Sequence, residues 1–185
     1  MEFSYEIKIP KDRIAVLLGT KGEVKKKIEH SLDVKLTIDS AEGDVLIKGQ
    51  DGLGLMTAQN IVKAIGRGFN PSLALELLNE SNYLELIDIG TFSRNAKKDL
   101  IRLKSRAIGT GGKARKTIED LTDTKMVVYG STIGILGTYE DVDLARKAVE
   151  SLLSGNRHAT VYARLEKQRK NKIMELDKNK FLFVF

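Results

Sequence analysis

The strongest constraint on the fold is an internal repeat with an offset of 90 residues. The segment Leu18-Gly-Thr-Lys-Gly-Glu-Val-Lys-Lys-Lys-Ile-Glu29 aligns without a gap with Ile108-Gly-Thr-Gly-Gly-Lys-Ala-Arg-Lys-Thr-Ile-Glu119. A match of this length is improbable for two unrelated glycine turns. We therefore expect the chain of 185 residues to contain two copies of one small module.

The remainder of each copy also matches, with the register shifted by two or three residues. Each copy has a short β-branched run that stops at a glycine, Asp44–Gly49 and Ser131–Gly137, and such a run predicts a strand. Each then has apolar residues at three- and four-residue spacing, Leu53–Gly68 and Val142–Gly155. That spacing predicts a helix with one apolar face and a glycine just beyond its C-terminal end.

The hydrophobic periods predict the order β-α-α-β-β-α in each copy. The predicted strands are 3–9, 34–38, 44–48, 83–89, 126–129 and 132–136. The predicted helices are 11–18, 23–32, 53–67, 94–107 with Ser93 as N-cap, 113–121 and 142–155. Asn70-Pro71 predicts the start of a short connecting helix through Leu78. The basic segment 159–179 predicts a helix partly packed on the body, and 181–185 is expected to dock as a strand or stay loose.

Composition narrows the functional classes. The net charge of +6 favours a polyanionic partner. With no cysteine and two distant histidines, we expect no disulfide, metal site or cofactor. Since HExxH and nucleophile-elbow motifs are also absent, we do not expect an enzyme. No apolar run approaches the roughly 20 residues that span a bilayer, and no signal-peptide core is seen, so we expect a soluble cytoplasmic protein without a membrane partner.

The two Gly-x-x-Gly segments, Gly19–Gly22 and Gly109–Gly112, each precede a predicted helix. Glycines lack a β-carbon and let another chain approach the backbone closely. The helix start offers free N–H groups and the positive end of the dipole, which suits phosphate. Basic residues surround both segments: Lys21, Lys25, Lys26 and Lys27 in the first copy, and Arg106, Lys113, Arg115 and Lys116 in the second.

Three other nucleotide-binding loops fit less well. Gly109-Thr-Gly-Gly-Lys-Ala114 matches GxGxx[GA], but that pattern needs a preceding buried strand, and 103–107 is charged and helical in pattern. A P-loop would need a glycine at Ala107 and Ser or Thr at Ala114. A kinase-type glycine loop would lie between two strands, whereas these loops precede helices.

The order β-α-α-β-β-α with an Ile-Gly-x-x-Gly loop between the first two helices resembles the KH domain of eukaryotic-type topology. The second copy has that isoleucine as Ile108, and the first has Leu18. The resemblance implies an α+β fold of two type I KH domains, each with a three-stranded antiparallel sheet packed on three helices, plus a C-terminal helix. The implied parts are KH domains at 1–69 and 83–155, a connecting segment at 70–82 and a basic helical tail at 156–185.

More narrowly, the tandem pair and the basic tail after Gly155-Asn-Arg-His158 resemble the archaeal relatives of the Krr, Dim and Pno proteins, which act in small-subunit ribosomal RNA maturation. The resemblance implies non-catalytic binding of single-stranded RNA, about four nucleotides per module, with the glycine loop clamping the backbone. It also implies an rRNA-processing nuclease or a translation initiation factor as a protein partner. The alternatives are an RNA-binding subunit of a degradation complex and a KH protein-interaction scaffold.

The expected RNA-binding residues lie on and around the two loops: Gly19, Thr20, Lys21, Gly22, Lys25, Lys26, Arg106, Gly109, Thr110, Gly111, Gly112, Lys113, Arg115 and Lys116. Lys25 and Arg115 stand where the common KH pattern has an aliphatic residue. Candidates for an apolar groove floor, or simply for the core, are Leu18, Ile28, Leu36, Ile38, Ile108, Ile118, Met126 and Val128. Since neither loop contains an aromatic residue, base stacking on an aromatic platform is not expected. Basic residues on both sides of the second loop predict that the second copy contributes more to binding.

Overall fold

A computed structural model describes residues 3–93 and 98–182, with no side-chain description for 176–182. The chain divides into two compact units. Unit 1 comprises residues 1–84 and 127–134, and unit 2 comprises residues 85–126 and 135–185. No helix in the described part of the chain is both long enough and apolar enough to cross a membrane.

The first half of the chain has the order predicted from its periodicity. Its elements are β1 (Phe3–Lys8), α1 (Lys11–Leu18), α2 (Glu23–Leu32), β2 (Val34–Ile38), β3 (Asp44–Gly49), α3 (Gly52–Gly66) and the connecting helix α4 (Pro71–Ala74), which continues as a 3-10 turn over Leu75–Leu78. The Asn70 carboxamide oxygen accepts a hydrogen bond from the N–H of Ser72, and Pro71 lies in the first turn, so the predicted cap is confirmed.

In unit 1, β3 is the central strand, antiparallel to β1 on one side and to β2 on the other. Alternate residues of β3 are buried, as expected when one face of a sheet meets a core. Ile47 lies opposite Leu36 in the register, and both are buried with Ile61 of α3. The helices α1, α2 and α3 pack around this face, and α1 and α2 meet at the first glycine loop.

The second half repeats this order. Its elements are β4 (Asn82–Asp88), α5 (Lys98–Ile108), α6 (Lys113–Thr122), β5 (Lys125–Tyr129), β6 (Thr132–Thr138), α7 (Tyr139–Leu153) and α8 (His158–Leu182). The second three-stranded antiparallel sheet has the order β4-β6-β5, equivalent to β1-β3-β2. The α+β fold with two such sheets and additional helices is therefore confirmed.

Most boundaries agree with the predictions to within two residues, and some of the differences have local causes. The predicted strand 83–89 ends one residue early at Asp88, whose carboxylate accepts a hydrogen bond from the N–H of Gly90 and starts a 3-10 turn over Ile89–Phe92. The helix predicted from 142 begins at Tyr139, because the Thr138 side chain caps it. The predicted start of α5 at Arg94 lies outside the described residues.

Both closing helices end two residues before the predicted glycines, Gly68 and Gly155, where φ is 100° and 103°. The N–H of Gly68 donates to the carbonyl of Ile65, and the N–H of the next residue donates to that of Ala64. The end of α7 has the same pair of hydrogen bonds. This Schellman arrangement satisfies the last carbonyls of each helix.

The basic tail forms α8, which packs on α6 and α7 within unit 2. Its residues Val161 and Leu165 are buried. The Lys172 Nζ lies 2.6 Å from the carboxylate of Asp141, whose side chain is only 9% exposed. The prediction of a partly packed tail helix is confirmed, although α8 continues through Leu182; residues 183–185 lie outside the described part of the chain.

Candidate nucleic-acid interface

The two glycine loops follow nearly the same backbone path. At the first, third and fourth positions of Gly19–Gly22 and Gly109–Gly112, φ is 71° and 73°, 54° and 59°, and 78° and 77°. In each loop the N–H of the fourth residue donates to the carbonyl of the first, at 3.2 Å. The equivalence expected from the 90-residue offset therefore extends to backbone conformation.

The first glycine of each loop has a role in packing. A Cβ on Gly109 would lie 2.7 Å from the backbone nitrogen of Ala114, and one on Gly19 would lie 2.9 Å from that of Val24. A Cβ on either of the last two glycines of the second loop would meet nothing within 4 Å. The first glycine thus joins the two helices, and the later positions leave open space where a ligand backbone can approach.

The loop tips are exposed, and each leads directly into a helix. Thr20 and Lys21 lie in solvent before α2, and Thr110 and Gly111 before α6. The N–H of Glu23 donates to the Thr20 carbonyl and that of Lys113 to the Thr110 carbonyl, so the first N–H of each helix is satisfied within its loop. The positive end of the helix dipole still lies at each loop. The two loops therefore present the same local geometry to an approaching ligand.

Two of the basic residues expected to contact RNA each form an ion pair with a glutamate. The Lys25 Nζ lies 3.8 Å from Glu29, and the Arg115 Nε lies 3.5 Å from Glu119. Each glutamate also accepts a backbone hydrogen bond from the following strand, at 2.8 Å and 2.7 Å. These contacts position Lys25 and Arg115 beside the loops but reduce the net charge that they offer.

Four other basic residues expected to contact RNA are exposed. In the described ranges, no ion pair within 4 Å is formed by Lys21, Lys26, Lys113 or Lys116. All four lie in the loops or in the first turns of α2 and α6. The sequence analysis thus identified a basic surface that the fold brings to the helix ends.

Arg106 has a structural role that the sequence analysis did not predict. Its Nε donates to the carbonyl of Leu152 at 2.9 Å, and its Nη2 donates to that of Asn156 at 2.6 Å. Leu152 lies in the last turn of α7, and Asn156 follows shortly after its end. Arg106 therefore clamps the end of the closing helix and also lines the groove at the second loop.

Arg13 makes the equivalent contacts in unit 1, with the carbonyls of Ile65 at 2.8 Å and Phe69 at 2.7 Å. Arg13 and Arg106 are 93 positions apart, so the repeat alignment at 90 does not pair them. At an offset of 90, Arg106 aligns with Val16, and Arg13 lies three residues before Val16. Allowing a shift of one helical turn in the alignment would have paired the two arginines.

The candidates for an apolar groove floor separate into two groups. Four are core residues at 2% exposure or less: Ile28, Leu36, Ile118 and Met126. Four are half-buried: Leu18, Ile38, Ile108 and Val128. Only the second group has surface left for contact with a base.

The structure brings two aromatic side chains to the second loop from α8. His158 and Tyr162 line an open groove of about 450 Å³ together with Gly109, Thr110 and Lys113. The ring centroids of His158 and Tyr162 are 5.9 Å apart at an interplanar angle of 63°. Partial burial raises the pKa of the Tyr162 hydroxyl above its ordinary value.

Among the described side chains, in 3–93 and 98–175, no group of three or more His, Cys, Asp or Glu residues is arranged to hold a metal ion. Around the two glycine loops, the described surface offers cations and half-buried apolar side chains.

Comparison with known proteins identifies the family. Residues 83–170 match a family model for the second KH domain of PNO1, described as a eukaryotic type KH-domain (KH-domain type I). The KH domain-containing protein MJ0443 of Methanocaldococcus jannaschii is 49% identical over 167 residues, which cover 88% of this chain and 73% of the relative. The chain belongs to the KH-domain family. The resemblance stated from the loop sequences is confirmed.

Two further KH relatives carry informative names. The pre-rRNA-processing protein PNO1 of Chaetomium thermophilum is 28% identical over 86% of this chain, which spans 64% of that protein. A structure of an a/eIF2alpha-aDim2p-rRNA complex from Pyrococcus horikoshii contains a chain that is 41% identical, with a TM-score of 0.85 and coverage of 92% of this chain and 96% of that chain.

Proposed function

We propose that this chain binds single-stranded RNA through both glycine loops and acts without catalysis in small-subunit ribosomal RNA processing and ribosome assembly. The observation that carries the proposal is the pair of exposed loops, which have nearly the same φ angles. Each loop leads into a helix, and its exposed lysines form no ion pair in the described ranges. A phosphate backbone is the polyanion that fits two such positions, since each offers open space, the positive end of a helix dipole and cations.

The domain organisation proposed from the sequence accompanies this function. We propose that residues 1–69 and 83–155 are two type I KH domains, joined by 70–82 and followed by the tail 156–185. Both sheets have the strand order edge-centre-edge with equivalent connections, which supports the two domains. The cytoplasmic location goes with this role and stays a prediction.

The protein partner proposed is a translation initiation factor, with a ribosomal RNA-processing nuclease as the other candidate. The 41% identical relative is in a complex with a/eIF2alpha and rRNA, which supports the first. The PNO1 relative is named as a pre-rRNA-processing protein, which supports the setting in which both partners would act.

The test is a titration of fluorescein-labelled single-stranded RNA of random sequence and about twelve nucleotides, three times the roughly four that one module holds. The paired changes Thr110→Asp with Gly111→Asp should weaken binding about 100-fold, which is about 2.7 kcal/mol. Aspartate tolerates the left-handed backbone at position 111, so the fold should persist.

The matched control is the paired change to asparagine at the same positions, which has the same shape without the charge. It should cost clearly less affinity than the aspartate pair. The equivalent aspartate pair at Thr20 and Lys21 tests the first loop. Undiminished RNA affinity in both aspartate variants would remove the clamp model.

A further inference from the structure

The groove beside the second loop is built by residues far apart in the chain. It is lined by the end of α5, Gly109, Thr110, the start of α6 and the first two turns of α8. At about 450 Å³ it lies within the size range of small-ligand sites. It is continuous with the loop that the proposed function assigns to RNA phosphates.

The aromatic side of this groove is held in place. A ring nitrogen of His158, Nε2, lies 2.9 Å from the carbonyl oxygen of Arg106. The Arg106 side chain in turn binds two carbonyls at the end of α7. Val161 and Leu165 of α8 are buried, and α8 packs on α6 and α7. Tyr162 therefore presents its ring from a pre-organised helix turn.

The groove combines the chemistry of one nucleotide. Tyr162 is half-buried and offers a ring against which a base can stack, and Lys113 is an exposed cation without an ion pair in the described ranges. Base stacking on an aromatic ring contributes without regard to sequence, because every base has a π-face. A cation at the loop side suits the connecting phosphate.

In unit 1, the segment that follows the closing helix supplies no exposed aromatic side chain, since Phe69 is fully buried and residues 70–78 contain no aromatic residue. The tyrosine beside the clamping Arg13 is Tyr129 of β5, whose hydroxyl donates to the Asp12 carboxylate. An aromatic side formed by His158 and Tyr162 is therefore a feature of the half of the chain that carries α8.

We propose that this groove receives the base of one nucleotide next to those on the Gly109–Gly112 loop, stacked on Tyr162, with the connecting phosphate beside Lys113. The inference rests on the proposed function and extends it. The tail helix α8 then forms one side of an RNA-binding site. The second loop and this groove together bind a longer RNA segment than the first loop does.

The test uses the full chain and the same random-sequence RNA. Tyr162→Leu should raise Kd about tenfold, the order expected for one stacked base, whereas Tyr162→Phe should bind like the wild type. The slope of log Kd against log salt should stay unchanged in Tyr162→Leu and fall by about one in Lys113→Ala, because stacking releases no counterions. Tyr5→Leu, which removes an exposed tyrosine from unit 1, is the matched control and should have no effect.

A second test does not depend on the folding of Tyr162→Leu. It is photo-crosslinking of the wild-type protein to RNA that contains 5-iodouridine. The expected result is a crosslinked peptide that contains Tyr162. The proposal is overturned by a Kd for Tyr162→Leu within about twofold of the wild type, by an equal loss in Tyr5→Leu, or by the absence of that crosslink. If instead the aspartate loop variants bind RNA like the wild type, the proposed function itself fails.

Discussion

The two glycine loops have the same backbone conformation but different chemical surroundings. Position three is Lys21 in the first loop and Gly111 in the second, both with left-handed φ. The residue after the loop is Glu23 in one and Lys113 in the other. Thus the conformation has been kept between the copies, while the positions of the charges differ: the net charge of segments 18–29 and 108–119 is +2 in both, but the residue after the loop is acidic in the first and basic in the second.

The same contrast holds for the arginines that clamp the closing helices. Arg13 and Arg106 bind equivalent carbonyls. Arg13 lies six residues before its loop and Arg106 lies three residues before its own, a difference of about one helical turn. Residues one turn apart project from the same face of a helix, so either position can reach the same target. The contact is the same in both copies, although its position in the sequence is not.

The largest effect should come from the first glycine of each loop. Gly109→Ala and Gly19→Ala should each lower the free energy of unfolding by about 3 kcal/mol or more, measured by guanidinium titration. The reason is that φ near 70° with ψ near 175° is almost exclusive to glycine, and the added Cβ meets backbone within 3 Å. Gly52→Ala, where a Cβ would meet nothing within 4 Å, is the control and should be nearly neutral. A large loss from only one loop would break the equivalence.

The arginine clamps should come next. Arg13→Ala and Arg106→Ala should each cost about 2 kcal/mol, since each loses two hydrogen bonds from a charged donor. Both contacts of Arg13 are partly buried and one of Arg106 is exposed, so Arg13→Ala should cost more. Lysine variants keep the charge but cannot span both carbonyls, and they should recover only part of the loss. Thermal unfolding that leaves either alanine variant unchanged would contradict the clamp.

Exchanging the residue after each loop should shift the balance between the two RNA sites. Lys113→Glu should weaken RNA binding about tenfold at low salt, and Glu23→Lys should strengthen it by a smaller factor. The measurement is Kd as a function of salt, because a change in phosphate contact alters the slope. Glu76→Lys makes the same charge change at an exposed position away from the loops and should leave the slope unaltered.

The smallest effect should come from position three. Gly111→Lys should lower the free energy of unfolding by about 1 kcal/mol, because lysine is strained at φ 59°. Lys21→Gly should change it by less than about 1 kcal/mol, since relief of strain is partly offset by the entropy of the unfolded chain. Calorimetry of both variants measures the difference, and a stabilising Gly111→Lys would show that the loops are not conformationally equivalent.

Local features of the sequence predicted most of the secondary structure. These features are the hydrophobic periods of two and about three and a half residues, the proline of Asn70-Pro71 and the glycines after the helices. Each of them acts over one or two helical turns. They identified α1, α2 and β2 with the observed bounds. The turn after β4 was missed because Asp88 ends the strand through its own side chain, a choice that hydrophobic spacing does not reveal.

The candidate site was predicted less completely. The loop glycines and the exposed lysines were identified because they lie in or directly beside the repeated motif. The absence of aromatics from both loops led to the expectation of no stacking platform, yet Tyr162 stands beside the second loop. Likewise, Arg106 was assigned to RNA on charge alone, and its bonds to the end of α7 were not foreseen.

The amino-acid sequence by itself determined that there are two related halves, the order of their strands and helices, and the left-handed turns at the glycines, because all of these depend on residues near in the chain. Tertiary structure alone decided which apolar residues are core, which arginine holds each helix end, and that α8 brings Tyr162 to the second loop. His158 and Arg106 are 52 residues apart and meet only because α8 packs on α6 and α7. Contacts at such separations depend on the packing of whole elements, which no local pattern encodes.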